Sequence, residues 1–133
     1  MIEIKTSKRV EIIDITQDVQ KEVERSGVKD GLAVIYTKHT TTAITINENE
    51  TGLKEDILNI LEKLIPTGSG YLHDRIDNNA DSHIRAIFIG NSVVVPIVEG
   101  KLDLGTWQRI LFIELDGPRV RKVGVKVIGT WSH

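Results

Sequence analysis

Three histidines, His39, His73 and His83, stand among hydrogen-bonding side chains at a strand end or in an irregular segment. Imidazole can move protons near neutral pH, ligate zinc or a similar ion, or donate to phosphate. Their separations of 34 and 10 residues do not form the helix-borne H-E-x-x-H arrangement, so any shared site has to be assembled by the fold. His133 is terminal and reads as tail. Glu48 and Asp56 are expected to approach the strand end that carries His39, whereas Asp77, Asp81, Glu114 and Asp116 lie in two polar rims. A carboxylate in such a place can orient a histidine, hold Mg²⁺ through oxygen, or act as a general base. Arg119 follows Pro118, whose restricted φ helps to hold the turn, and a guanidinium held there can clamp phosphate through two bonds. The plainer alternative for Glu114 to Arg119 is a tight turn closed by a surface ion pair.

Other chemistries find less support. The chain has no cysteine, which removes disulfides, thiolate nucleophiles and Cys-ligated zinc. It has no P-loop and no dinucleotide fingerprint, and Gly68-Ser69-Gly70 is a short pattern for anion binding. Ser82 adjoins His83, but adjacency does not place its hydroxyl on the imidazole and the nucleophile elbow is absent. Trp107 and Gln108 can line a cleft, or Trp107 can seal the core or a subunit boundary.

The elements that must position these groups follow from apolar periodicity. Ile2 and Ile4, then Val10 to Ile15, give two short strands, and Thr16 is the expected N-cap of a helix through Glu24 that Ser26-Gly27 ends. Gly31 to Tyr36 and Ala43 to Ile46 are strands flanking a threonine-rich turn that contains His39. A second helix presents Leu53, Ile57, Ile60, Leu61 and Leu64 on one side and closes at Pro66. Residues 67–83 carry little secondary-structure signal and hold two His, three Asp and two Asn between His73 and His83, so they are expected to form a binding loop. Ile84 to Ile89 is expected to restart the sheet. A hairpin then joins a strand ending at Glu99 to one from Trp107 to Leu115 through Gly100, and Val120 to Trp131 is the last strand.

These elements predict an α+β chain: one domain over residues 1–133, with a compact β-sandwich-like core of about seven strands or more and two flanking helices. Mixed α/β with crossovers competes, but two helices cannot cover both faces of a large parallel sheet. Apolar residues make up 40% of the chain and charged ones 27%, an ordinary globular balance. With two each of Phe, Tyr and Trp, the core must be aliphatic, and stacking platforms for single-stranded nucleic acid are not expected. The net charge of −2 gives no general pull toward nucleic acid or anionic lipid. The alternating start MIEIKTSKRVEIIDIT lacks the apolar run of a signal peptide, and no segment approaches a bilayer span, so a cytoplasmic chain without membrane or nucleic-acid partners is expected.

Several separated segments, YTKHTTTAITINE, YLHDRIDNNADSH, PIVEGKLDLGTWQRI and ELDGPR, occur in the order found in the YjbQ family, which the whole chain resembles. The resemblance implies a β-rich fold with flanking helices, association as a trimer, and a polar pocket near subunit contacts. It also implies secondary thiamine-phosphate synthase-like activity: hydroxymethylpyrimidine diphosphate joined to thiazole phosphate with release of pyrophosphate. Carried onto this sequence it points to His39, Glu48, His83 and Asp116 as catalytic, and to Asn47, Asn79, Gln108, Glu114 and Arg119 as binding a small phosphorylated substrate. A divalent ion, Zn or Mg, would be held by His39, His73, His83 and Asp56. Ser82 departs from the alanine of the family pattern. The alternatives are metal-assisted hydrolysis of a small phosphorylated molecule and a non-catalytic, anion-binding or structural trimer.

Overall fold

The computed structural model describes residues 1–130. The tail reading of His133 and the end of the last strand at Trp131 fall outside the described residues.

Eight strands form two antiparallel sheets. β1 (Ile2–Lys5), β8 (Val120–Gly129), β3 (Asp30–Thr37), β5 (Ser92–Val98) and β6 (Lys101–Leu102) lie in that order in the larger one. β2 (Glu11–Asp14), β7 (Arg109–Glu114) and β4 (Thr42–Asn47) form the smaller. The expected hairpin is therefore divided. The chain does reverse at Glu99 and Gly100, both at positive φ, but it pairs β5 only with the two residues of β6, and β7 crosses to the other sheet.

One core lies between the sheets: Ile4, Ile35, Ile97 and Val123 from the larger meet Ile44, Ile110 and Phe112 from the smaller, with Val19 and Val23 of α1 (Thr16–Ser26). The other face of the small sheet, with Ala43, Leu111 and Ile113, forms a second core with Leu61, Ile57 and Leu58 of α2 (Thr51–Leu64) and Ala86 and Ile89 of α3 (Ala80–Ile89). β7 is thus buried on both faces, which is why RILFIE reads as a continuous apolar run instead of an alternating one.

The α+β class agrees with the expectation, while the count of two helices does not. Segment 84–89 is helix and not strand, and 67–83 contains a 3-10 turn at Leu72–Arg75 and the first turn of α3. The cause is chemical. The inward face of α3 carries Asp81, Ser82 and Arg85, all buried, so its apolar stripe is interrupted by polar residues that find partners only in three dimensions. The apolar side assigned to α2 is also partial: Leu61 is buried, but Ile60 and Leu64 are exposed. Thr16 is the first helical residue of α1 and not its cap; its hydroxyl donates to Asp14 Oδ1 at 2.7 Å and accepts from the Ile110 N–H at 2.8 Å. Gly27 does end α1, in the left-handed conformation with φ 74°. No described helix is long and apolar enough to cross a membrane.

Candidate functional site

A groove of about 930 Å³ runs between the end of β3, the turn at 38–40, and one face of α3. His39 and Lys38 line it from the turn, Thr37 and Thr42 from the strand ends, and His83 and Ile87 from successive turns of the helix. Tyr36, Asn91 and Ser92 complete the rim. The fold therefore brings His39 and His83 into one cavity although 44 residues separate them in sequence.

Beneath the turn, Glu114 is completely buried and forms a two-pronged ion pair with buried Arg121, Nε to Oε1 at 2.8 Å and Nη2 to Oε2 at 2.6 Å. Thr6 Oγ1 donates to the same carboxylate at 2.8 Å, and the N–H groups of Leu115 and Asp116 donate at 3.0 and 3.1 Å. Burial alone would push the Glu114 carboxyl upward, but the Arg121 and Asp116 hydrogen bonds, with Thr6, outweigh it and hold the group below the usual carboxylate range. Arg121 Nη2 also donates to Thr41 Oγ1 at 2.9 Å, which fixes the threonine-rich turn. Glu114, expected to bind substrate, is thereby occupied inside the protein. Sequence reasoning missed Arg121 because it stands in a strand as one polar residue among alternating valines.

A second polar chain begins at Arg119. Its Nη2 donates to Asp116 Oδ2 at 3.0 Å and its Nε to the Asp116 carbonyl at 2.9 Å, an ion pair within the turn of the kind given above as the plainer alternative. Asn79 Nδ2 donates to the same Asp116 oxygen at 2.9 Å, which leaves Asn79 Oδ1 to accept from His73 Nε2 at 3.0 Å. The His73 and His83 rings meet edge to face at 4.8 Å. Arg119, Asp116, Asn79 and His73 thus connect through to the groove at His83.

This chain rests on a frame in which buried Asp81 and Arg85 are held by partners nearer the surface. Arg9 grips Asp81 with two bonds of 3.1 and 3.0 Å, and Arg85 joins Glu62, at 2.7 Å, to the Ile65 carbonyl at the end of α2. Burial pushes the Asp81 carboxyl up, but the bonds and charge of Arg9, with Thr67 and Arg85, hold it below its ordinary value. Ser82 donates to the Leu115 carbonyl at 2.5 Å and ties α3 to the end of β7. Arg9, Arg85 and Thr67 were not foreseen; only the polar residues of 67–83 signalled that something there needed partners.

Other expected residues lie elsewhere. Asn47, Glu48 and Gln108 line a separate pocket of about 380 Å³ with Thr106 and Trp107, which is 72% exposed. That pocket is at the far end of β4 from Thr42, about 17 Å away at the rise of a strand. Asp56 is exposed on α2. The metal assignment is overturned: among the described residues no group of three or more His, Cys, Asp or Glu is arranged to hold an ion. His39 engages Nε2 with the Lys122 N–H at 3.1 Å, His73 engages Nε2 with Asn79, and Asp56 is remote from the groove's lining. The Zn or Mg site at His39, His73, His83 and Asp56 falls.

A family model described as UPF0047 protein YjbQ-like matches residues 1–130. A UPF0047 protein of Archaeoglobus fulgidus is 62% identical over 125 residues, covering 94% of this chain and 97% of the relative. The UPF0047 protein YugU of Bacillus subtilis is 40% identical over 129 residues, covering 96% and 97%. Among solved structures, a hypothetical protein from Aeropyrum pernix K1 superposes with a TM-score of 0.94 at 42% identity, covering 97% of this chain and 96% of that one. A YbjQ-like protein of unknown function from Sulfolobus solfataricus P2 does so with a TM-score of 0.94 at 43% identity, covering 97% and 94%. Sequence and fold agree over nearly the whole length, and the chain belongs to the UPF0047 YjbQ-like family.

Proposed function

We propose that the groove between β3 and α3 takes small phosphorylated molecules, and that the chain catalyses a thiamine-phosphate synthase-like transfer. The observation that carries this reading is the joint presence of His39, His83 and Lys38 on one cavity of about 930 Å³, within the range of about 300–1,000 Å³ for small-molecule sites. In the transfer, the thiazole nitrogen attacks the pyrimidine methylene carbon. A C–N bond forms, the C–O bond to diphosphate breaks, and pyrophosphate leaves with the electron pair. The nucleophile is supplied by the substrate, so the protein has to align the partners and offset charge growing on the leaving group. Tyr36, Val34, Ala86 and Ile87 give the groove an apolar wall for rings, and Lys38 gives it a cation.

The active assembly in this reading is a trimer. Leu32, Val94, Ile87 and Phe88 are exposed apolar residues on the outer sheet face and α3, continuous with Val34 and Ile87 of the groove, and a second copy of the chain would cover them. Asn47, Glu48 and Gln108 cannot reach the groove of their own subunit, so a head-to-tail contact closing as a ring would supply them from a neighbour. The non-catalytic, anion-binding alternative has one observation in its favour: Asp116 and Arg119 already satisfy each other. Turnover with both substrates, measured beside phosphate-ester hydrolysis, decides between them. The expected result is thiamine phosphate formed only with both substrates, reduced at least about tenfold in folded, assembled His39→Ala and Arg119→Ala chains. Unchanged turnover in both variants, or none in the parent chain, overturns the synthase reading.

A further inference from the structure

β3 ends at the Thr37↔Val123 pair, and the chain then turns away at Lys38. The Lys122 N–H, one residue before Val123 on β8, has no partner on β3 and donates instead to His39 Nε2 at 3.1 Å. A backbone N–H can only donate, so Nε2 must present its lone pair. In the neutral ring the proton then sits on Nδ1. Among the described residues Nδ1 makes no hydrogen bond, and no buried side-chain nitrogen or oxygen there lacks a partner, so this second nitrogen is open rather than sealed in. His39 itself lines the groove.

We infer that the open end of the β3–β8 ladder locks His39 as the neutral Nδ1–H tautomer, which gives the groove a fixed hydrogen-bond donor at that point and not a cation, a base or a metal ligand. The surroundings agree. Burial lowers the His39 pKa, the charges of Arg121 and Arg119 lower it further, and Glu114 opposes them. The other ionisable groups lining the groove are Lys38 beside it on the turn, Tyr36 on β3 and His83 on α3. A phosphoryl oxygen bound there would accept a hydrogen bond from Nδ1 without receiving its proton, and the positive charge in the groove would come from Lys38.

The inference rests on the functional reading only where it concerns phosphate, so its first test uses no ligand. In the full ¹⁵N-labelled chain, with resonances assigned by their loss in His39→Asn, Nδ1 is expected to carry the proton and Nε2 to be bare. The ring should stay neutral as the pH falls through its ordinary value of 6.5. A proton on Nε2, or an imidazolium at that pH, overturns the inference. The second test measures inorganic pyrophosphate binding by calorimetry. The amide nitrogen of His39→Asn can stand where Nδ1 stood, and this variant is expected to bind within about threefold of the parent, whereas His39→Gln, which replaces only Nε2, should bind about tenfold more weakly. Equal losses in the two variants overturn the donor role. Failure of the parent to bind pyrophosphate overturns the functional reading, and the nitrogen spectrum still decides the tautomer.

Discussion

Replacing Arg121 with methionine tests the frame beneath the groove, because it removes the charge from a pair in which Glu114 is 0% and Arg121 4% exposed. Methionine fills most of the volume, so the main effect is a carboxylate left buried without its countercharge. Removing one partner of a buried pair costs about 3–5 kcal/mol. Against a total stability of about 5–15 kcal/mol for a single domain, that is a large share. Glu114→Leu alone strands the guanidinium with only Thr41 and should cost a similar amount.

The double variant separates charge from packing. With both charges gone, Leu115 N–H still has the Thr41 carbonyl at 3.1 Å, and the Thr6 hydroxyl still has the Arg119 carbonyl at 3.1 Å. The Asp116 N–H and the Thr41 hydroxyl lose their partners, each a cost of about 1–3 kcal/mol, while no charge is left buried. The double variant should therefore be more stable than either single one, with a coupling of at least about 3 kcal/mol in a double-mutant cycle. The assay is urea unfolding at neutral pH and one fixed protomer concentration, since assembly would add to apparent stability. If Arg121→Met costs less than about 1 kcal/mol, or the double variant loses as much as the two single variants together, the pair is not what holds this frame.

Acid should act through the same carboxylates. Glu114 and Asp81 titrate below their ordinary values of 4.5 and 3.8, so the stability each contributes is fully present above those values and is lost as the pH falls through the lower folded-state pKa. The urea midpoint of the parent should drop more steeply below pH 4.5 than that of the Glu114→Leu, Arg121→Met chain; equal slopes would count against the linkage. Asp81→Asn leaves Arg9 and Arg85 without their shared carboxylate, and should cost about 2–3 kcal/mol while speeding amide exchange across residues 67–79 more than in β7. A uniform rise in exchange would contradict that local role. Gly124 lies opposite Tyr36 on β8, and a Cβ there would run into the Tyr36 ring, which lines the groove. Gly124→Ala should cost about 1–3 kcal/mol and weaken pyrophosphate binding, and a chain unchanged in both respects would refute the contact.

Strands were legible wherever one face is buried and the other is not. β3 alternates in burial along its length, while its sequence, GLAVIY, is a continuous apolar run that marks a strand without showing which face is inward. β7 was also found, although its partners were not: an apolar run buried on both faces says nothing about which sheet it joins. α3 failed for the opposite reason. Ile84 to Ile89 looks like a strand when taken alone, and the residues that make it a helix face, Ser82 and Arg85, are polar groups whose burial depends on Leu115, Glu62 and the end of α2. Periodicity of apolar residues cannot register a buried face built from hydrogen bonds.

The same distinction divides the candidate site. Residue type marked His39, His73, His83, Asn79, Asp116 and Arg119, and the structure places all six on the groove or on the hydrogen-bonded chain leading to it. Type could not say which of them have valences to spare. Glu114 accepts five hydrogen bonds inside the protein, and Asn79 uses its oxygen on His73 and its nitrogen on Asp116. Within the subunit both hold other groups still. His39 differs because its backbone partner occupies one nitrogen and leaves the other open, and Lys38 beside it is exposed on the groove. In the proposed reading a ligand would meet the turn at 38–40 first, and the buried ion pair beneath that turn would set how rigidly it is met. Loosening the pair should degrade binding even where no contacting residue has changed, which makes the Arg121→Met chain a probe of the groove as well as of the core.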